Sequence, residues 1–435
     1  MPSEIDLLRA LDDEPRTPST VDVAQAITAG RRRRARRSAG YAGAASVTAL
    51  AVAGASVAGG LAGGDPSPTA ATGAPRTTAP APPKPPYTIP GTPGWSAPTA
   101  TPPTGCTLHR LPAPDDAPMA LVSGADPTGR YIVGRSYPRG GGYQAVIWHD
   151  GTARKVMLPG DLEESLQDVN STGTAVGWSY VGGGEADTGP VPYVYRGGKV
   201  SPLPGVRRGS AYAINDAGAI VGDDDTRRAV LVWPSATAKP FRLPLPAGAS
   251  EAEARDIDED GTVVGTVDGR RPYVWFPDGT HRELPVPRVD GGQAAGARAV
   301  SIRNGWATGL TDTLDGAASG LQADPSSSTG PGKAARSGRM AAVRWNVRTG
   351  EVRVFDDLQA YPNEVNAQGW QIGTDTRNRA VLATDTATVV LPALADGEPT
   401  GVSTIATTVS DDGRTVGGQS DDATGTIQAV VWRCR

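Results

Sequence analysis

Ala254-Arg255-Asp256-Ile257-Asp258-Glu259-Asp260-Gly261-Thr262-Val263-Val264-Gly265 is one copy of a unit that recurs along the chain after residue 105. The pattern is a small residue, Ile or Val, then Asn, Asp or Ser, two loose positions, Gly, and a second apolar run ending in Gly. The Asn or Asp closes an Asx turn and the Gly supplies positive φ, so each copy predicts a tight hairpin. The turn glycines are Gly129, Gly173, Gly218, Gly261, Gly305, Gly369 and Gly413, spaced by 44, 45, 43, 44, 64 and 44 residues. Seven units of this period, with no helix-length amphipathic run, predict an all-β fold: a seven-bladed β-propeller of four-stranded blades over residues 105–435. The long interval marks a loop insertion at 311–338.

Within the third copy the strands read Ala211 to Ile214, Ala219 to Gly222, Ala229 to Trp233, and a fourth ending in Phe241-Arg242-Leu243-Pro244. Third strands with an aromatic end recur at Ala145 to Trp148, Tyr193 to Tyr195, Tyr273 to Phe276, Ala342 to Trp345 and Ala429 to Trp432, whereas Ala380 to Ala383 lacks it. Such recurrence points to packing between blades. The seventh copy stops at Cys434-Arg435, before any fourth strand. Cys106-Thr107-Leu108-His109-Arg110-Leu111-Pro112 has the form of that missing strand, so the N-terminal strand should close the ring beside the C-terminal one. Cys106 and Cys434 then face each other as a disulfide pair, which requires an oxidising compartment.

The chain before the repeats divides by composition. Residues 1–37 read as a short cytosolic leader, partly helical or disordered, ending in the arginine run Arg31 to Arg37. Residues 38–64 carry no charge and are long enough for a transmembrane helix, with the arginines favouring an inside N-terminus. A cleaved signal peptide, processed near Gly60-Leu61-Ala62, and a twin-arginine signal at Arg36-Arg37 are competing readings. Residues 65–104, rich in Pro, Thr and Ala, read as an extended extracellular stalk in which Trp95 either docks on the propeller or is a linker aromatic. The expected location is therefore the cell membrane, single-pass, with the propeller outside, or secreted if the anchor is cleaved. Arg and Ala in place of Lys and Phe suggest a GC-rich genome such as an actinobacterium's. Residues 105–435 hold 32 Lys and Arg against 39 acids, which excludes the basic footprint of a nucleic-acid partner.

Ile214-Asn215-Asp216-Ala217-Gly218 with Ile220-Val221-Gly222, and Val169-Asn170-Ser171-Thr172-Gly173 with Ala175-Val176-Gly177, resemble the extracellular HAF-type repeat family. The resemblance covers residues 106–435. It implies a secreted propeller-like domain and no defined reaction. The fifth copy departs from it, since Ile302-Arg303-Asn304-Gly305 is one residue short.

Asp256, Asp258 and Asp260 begin like a calcium loop, but the twelfth position is Val267 rather than Glu, so a hairpin turn is the favoured reading and no cofactor is expected. His109, His149 and His281 stand apart, and no nucleophile elbow or P-loop occurs. With the N-terminal strand outermost, the irregular loops share one face. That face holds Tyr137, Arg139 and Tyr143, then Tyr180, Glu185 and Asp187. Gln167, Tyr212, Arg255, Asn363 and Thr407 approach the channel. Loops on a rigid scaffold commonly recognise ligands, so a binding module for an extracellular protein or glycan is the expected function. The alternative is a hydrolase or lyase acting on an extracellular polysaccharide through converging carboxylates.

Overall fold

Each repeat forms its hairpin for a reason visible in the turn. In the third copy Asn215 Oδ1 accepts from Ala219 N at 2.9 Å, while Gly218, at φ +83°, turns the chain back. The same Asn215 donates through Nδ2 to Asp258 O of the following turn at 3.2 Å. Asn170 donates likewise to Asn215 O, and Asn366 to Ser410 O. The Asn of the motif thus caps its own turn and ties it to the next.

The computed structural model describes residues 87–140, 142–160, 163–181, 189–289, 292–312, 340–359, 364–395 and 402–435. The leader at 1–37, the apolar stretch at 38–64, residues 65–86 and nearly all of the 311–338 insertion lie outside them. No helix among the described residues is long and apolar enough to cross a membrane.

The described chain is a seven-bladed propeller of four-stranded antiparallel blades. Blade 1 comprises Met119–Ala125, Tyr131–Tyr137, Gln144–His149 and Thr152–Val156, and blade 2 Glu164–Val169, Ala175–Tyr180, Pro190–Arg196 and Lys199–Pro202. Blade 3 is built from Ala211–Ile214, Ile220–Asp224, Ala229–Trp233 and Phe241–Arg242, and blade 4 from Ala252–Ile257, Val263–Val267, Arg271–Trp275 and His281–Glu283. Gly296–Arg303, Trp306–Asp312, Ala342–Asn346 and Val352–Phe355 form blade 5. In blade 6, Gln371–Thr374, Ala380–Ala383 and Thr388–Val390 are regular strands, and the inner strand is reduced to the bridges Leu358 to Asp375 and Val365 to Gln371. Blade 7 holds Thr404–Val409, Thr415–Asp421 and Ile427–Cys434. Its outer strand is Cys106–Arg110, paired antiparallel with Ile427–Cys434 in a register that sets Cys106 opposite Cys434. Their sulfurs are bonded at 2.04 Å, as the missing-strand argument requires.

Buried apolar side chains form seven clusters, each spanning two neighbouring blades. The recurring tryptophans lie on the third strands at five of these seams, each where a Leu-Pro ends the preceding blade's outer strand. Trp148, Trp233, Trp275, Trp345 and Trp432 are all buried. Each donates its indole N–H to such a proline carbonyl: Pro112, Pro204, Pro244, Pro285 and Pro392, at 2.7 to 2.9 Å. In blade 2, Tyr195 replaces the Trp and meets Arg154 at 3.3 Å. At the seam between blades 5 and 6 both partners are lost together, for Phe355 stands in place of the Leu and Ala383 in place of the Trp. That seam is packed by Ala342, Phe355, Leu358, Val381 and Ala383.

The stalk reading needs correction over residues 87–104. Tyr87 stacks on Phe241 of blade 3 at 4.4 Å, and Ile89, 1% exposed, completes the cluster between blades 3 and 4. Thr92 N donates to Glu259 O at 2.6 Å, Gln368 Nε2 to Pro98 O at 2.6 Å, and Arg414 to Thr101 O at 3.3 Å. The segment crosses the face made by the motif turns, from blade 3 to blade 7, as a strap. Composition misleads here because proline-rich chain makes no hydrogen bonds of its own yet can still be held by a scaffold's donors. Close approach is possible at Gly91 and Gly261: a Cβ on Gly91 would lie 2.7 Å from Asp260 O, and one on Gly261 2.8 Å from Ile89 O.

Candidate functional site

The first strand of every regular blade carries a bulge just before its turn. Register shifts fall at 122/124, 166/168, 211/213, 254/256, 299/301 and 406/408. Bulges re-aim side chains. The extra residues are Ser123, Gln167, Tyr212, Arg255, Val300 and Thr407, and all six line one cavity of about 230 Å³ on the propeller axis. Gln167, Tyr212, Arg255 and Thr407 are thus placed in the channel as expected from sequence. Asn363, at the equivalent position of blade 6, lies outside the described residues.

Tyr212 donates to Asp223 Oδ2 at 2.6 Å, and Ser210 N to Asp223 Oδ1 at 2.7 Å. Burial raises the Asp223 carboxyl to about 6 and pushes the Tyr212 phenol far up, with the facing carboxylate adding to it. The Arg255 guanidinium sits 5.7 Å from the Tyr212 ring and pairs with Glu253 at 2.6 Å.

At the turn-face end, Arg303 spans the axis. It pairs with Glu259 of blade 4 at 2.8 Å and grips Asp411 of blade 7 with two bonds of 2.8 and 2.9 Å. The shortened fifth turn explains this: Asn304 and Gly305, at φ +49° and +74°, form a two-residue hairpin, leaving Arg where other copies have Asn, Asp or Ser. The strap residue Trp95 lies over that guanidinium at 5.2 Å. Sequence reading recorded the short copy but not its consequence.

The three aspartates of the opening stretch serve separate partners. Asp256 accepts from Ile257 N and Ile302 N, both at 2.8 Å, and faces the channel. Asp258 accepts from Glu259, Asn304 and Gly305 amides and its carboxyl rises, mainly by burial, to about 6. Asp260 closes the Asx turn on Thr262 N and meets Arg348 at 3.3 Å. Among the described residues no three His, Cys, Asp or Glu are grouped to hold a metal ion.

On the opposite, looped face, Tyr137 and Tyr143 meet edge to face at 5.3 Å, with the Arg135 guanidinium 5.5 and 5.2 Å from their rings. Arg135 is fixed by Glu163 at 2.7 Å, and the backbone carbonyl of Glu163 accepts from Tyr180 N at 3.0 Å. Tyr180 packs edge-on against Trp178 at 5.6 Å. Two aromatics of blade 1 therefore flank Arg135 of the Arg-Glu pair, and a second aromatic pair stands on the blade 2 strand whose end bonds Glu163, with Met157 and Val181 exposed on the same two blades. Arg139 is exposed in the same loop as Tyr137 and Tyr143. Glu185 and Asp187 lie outside the described residues. Arg135, Glu163 and Trp178 were missed, because Arg135 and Trp178 sit on regular strand positions, Glu163 in the loop just before one, and none carries a motif.

The sequence matches no family profile and no curated protein. Among solved structures, the chain is similar to virginiamycin B lyase from Staphylococcus aureus, with 12% identity and a TM-score of 0.44 over 75% of this chain and 99% of that one. It is similar also to the β-propeller domain of the Trilobed protease from Pyrococcus furiosus, with 11% identity and a TM-score of 0.46 over 72% and 95% of the two chains. A chain of a mitotic checkpoint complex gives 12%, 0.43, 78% and 97% for the same measures. These likenesses are of fold alone, and the propeller fold hosts unrelated functions.

Proposed function

We propose that this protein is an extracellular binding module, held to the membrane by residues 38–64, that engages a protein or glycan through its looped face. The observation that carries this reading is the strip made by Tyr137 and Tyr143 on the Glu163-anchored Arg135 and by the Trp178 and Tyr180 pair on the next blade, joined to it through the Tyr180 N to Glu163 O bond. Aromatic rings with an anchored guanidinium bury area at low entropy cost and suit sugar faces and peptide side chains alike. The strap supports the choice of face, since it already covers the turn side of the propeller. We take the repeats to be of the extracellular HAF type on the strength of their turn motif. Binding is preferred to polysaccharide hydrolysis because both oxygens of each of two channel carboxyls, Asp168 and Asp256, already accept backbone N–H groups, so neither presents an unpartnered oxygen to a sugar. The test is a glycan array and an extracellular-protein binding screen with the full chain. A ligand whose affinity falls about tenfold in Tyr143→Ala is the expected result. A ligand insensitive to Tyr143→Ala and Tyr180→Ala alike would move the binding surface elsewhere.

A further inference from the structure

Residues 87–104 form no helix or strand, and only Ile89 and Pro103 among them are buried. Every regular strand of the seven blades comes from residues 106–434, and the disulfide that shuts the ring lies downstream of the strap. The ring thus closes without the strap, which lies on it as a bound chain lies on a receptor. Ile89 fills the seam between blades 3 and 4, and Pro90 O accepts from Asn215 Nδ2 at 3.0 Å. Thr92 donates its N–H to Glu259 O at 2.6 Å and its hydroxyl to the Glu259 carboxylate. Trp95 covers Arg303, and farther on Gln368 and Arg414 donate to Pro98 O and Thr101 O. Glu259 and Gln368 stand at the loose positions of their turns and Arg414 just after a turn glycine, so the repeat itself does not demand these groups. Gly91 has no positive φ, and what calls for glycine there is the passage of the strap against Asp260 O, 2.7 Å from where a Cβ would stand. A segment that makes no hydrogen bonds of its own and offers its carbonyls to side-chain donors is held as proline-rich ligands are held.

We infer that the turn face is a binding site for extended proline-rich chain, filled here by the protein's own strap, and that the Ile89 to Trp95 segment of a second copy exchanges into it. A second copy is the partner because it carries the matching Ile89-Pro90-Gly91-Thr92 and Trp95 by necessity, and exchange of identical contacts between copies costs little. Ser96 to Thr101, none of them buried, supply the hinge, and six residues reach up to about 20 Å. The site is on the face opposite the aromatic strip and does not depend on the function proposed for that strip.

The tether holds the strap over its own site at an effective concentration on the order of mM. A free segment of the same sequence must reach that concentration to displace it. The closed form therefore prevails in dilute protein, and exchange sets in where copies are crowded or where the strap can no longer reach its own ring.

The experiment has two arms. In the first, a fluorescent peptide of residues 87–101 is titrated into the wild-type full chain and into the full chain carrying Ile89→Asp, where a charge without a partner in the seam releases the strap. The variant should bind the peptide at least about tenfold more tightly than the wild type, which should half-saturate at around 1 mM. A peptide with Gly91→Ala should not bind. In the second arm, the full chain without residues 97–100 loses about 13 Å of reach. It should sediment in detergent as a dimer, whereas the wild type and the same deletion with Ile89→Asp stay monomeric. Failure of the peptide to bind the folded Ile89→Asp chain, equal binding of the Gly91→Ala peptide, or a wild type that never saturates overturns the site. A deletion chain that stays a folded monomer overturns the exchange with a second copy. Should the deletion not fold, saturation of the wild type still decides whether the strap is exchangeable.

Discussion

The indole ring of Trp95 lies over the guanidinium of Arg303, 5.2 Å from its central carbon, at the point where Arg303 joins blade 4 to blade 7. The pair seals the turn-face mouth. Trp95→Ala should cost about 1 kcal/mol and loosen the strap while leaving the ring folded. Hydrogen exchange checks this: the amides of Thr92 and Trp95 should exchange faster, with blade amides unchanged. Equal exchange in both proteins would show that the ring does not hold the strap.

The bond between Cys106 and Cys434 fastens an outer strand to the third strand of the same blade across 328 residues. Reduction, or Cys106→Ser with Cys434→Ser, should lower stability by about 2–5 kcal/mol, as cross-links of long loops do. Denaturation with and without reductant measures the difference. Free-thiol labelling of the native, non-reduced protein should find neither cysteine reactive.

Trp233 is buried and gives its indole proton to Pro204 O at 2.9 Å. Trp233→Phe keeps most of the packing but leaves that carbonyl unsatisfied, at a cost of about 1–3 kcal/mol. The seam between blades 5 and 6 has no such bond, and Arg344 fills it instead, with its guanidinium 4.6 Å from the Trp306 ring and a bond to Asp385 at 2.7 Å. Exchange of core amides under native conditions should therefore be fastest around Ala342 and Val381. Uniform protection across all seams would contradict this.

Glu164 is buried and accepts from Ala145 N at 2.8 Å. Burial raises its carboxyl from 4.5 to about 7. A group raised on folding contributes most stability below its unfolded value, and that contribution is lost as pH climbs through the folded one. Glu164→Gln keeps the acceptor without the charge. It should be neutral near pH 4 and stabilising by about 1–3 kcal/mol at pH 8. Thermal unfolding at the two values tests it, and an equal effect at both would show that Glu164 does not titrate in this window.

The blade count was legible because one backbone requirement, positive φ at Gly129, Gly173, Gly218 and their counterparts, forces the same residue at the same interval. The closing strand was legible because Leu111-Pro112 has the form that ends every other outer strand except that of blade 5. The strap was not, since proline-rich composition reports what a segment cannot do alone and says nothing of the donors a neighbouring surface offers it. Ile89 and Trp95 were the signals, two large apolar residues in a stretch otherwise short of them. The acids at Asp168, Asp256 and Glu364 were visible one at a time. That all three line one cavity emerges only once the bulge fixes which residue of each inner strand faces the axis.

The strap also sets a load path. Any pull on the chain ahead of Tyr87 reaches the Tyr87 to Phe241 stack first, and can then peel Ile89, Thr92 and Trp95 off the ring one contact at a time. About 60 Å of chain would pay out before tension arrived at Cys106. There it meets a covalent bond to the last strand, so the strap acts as a shock absorber and the ring behind it stays shut.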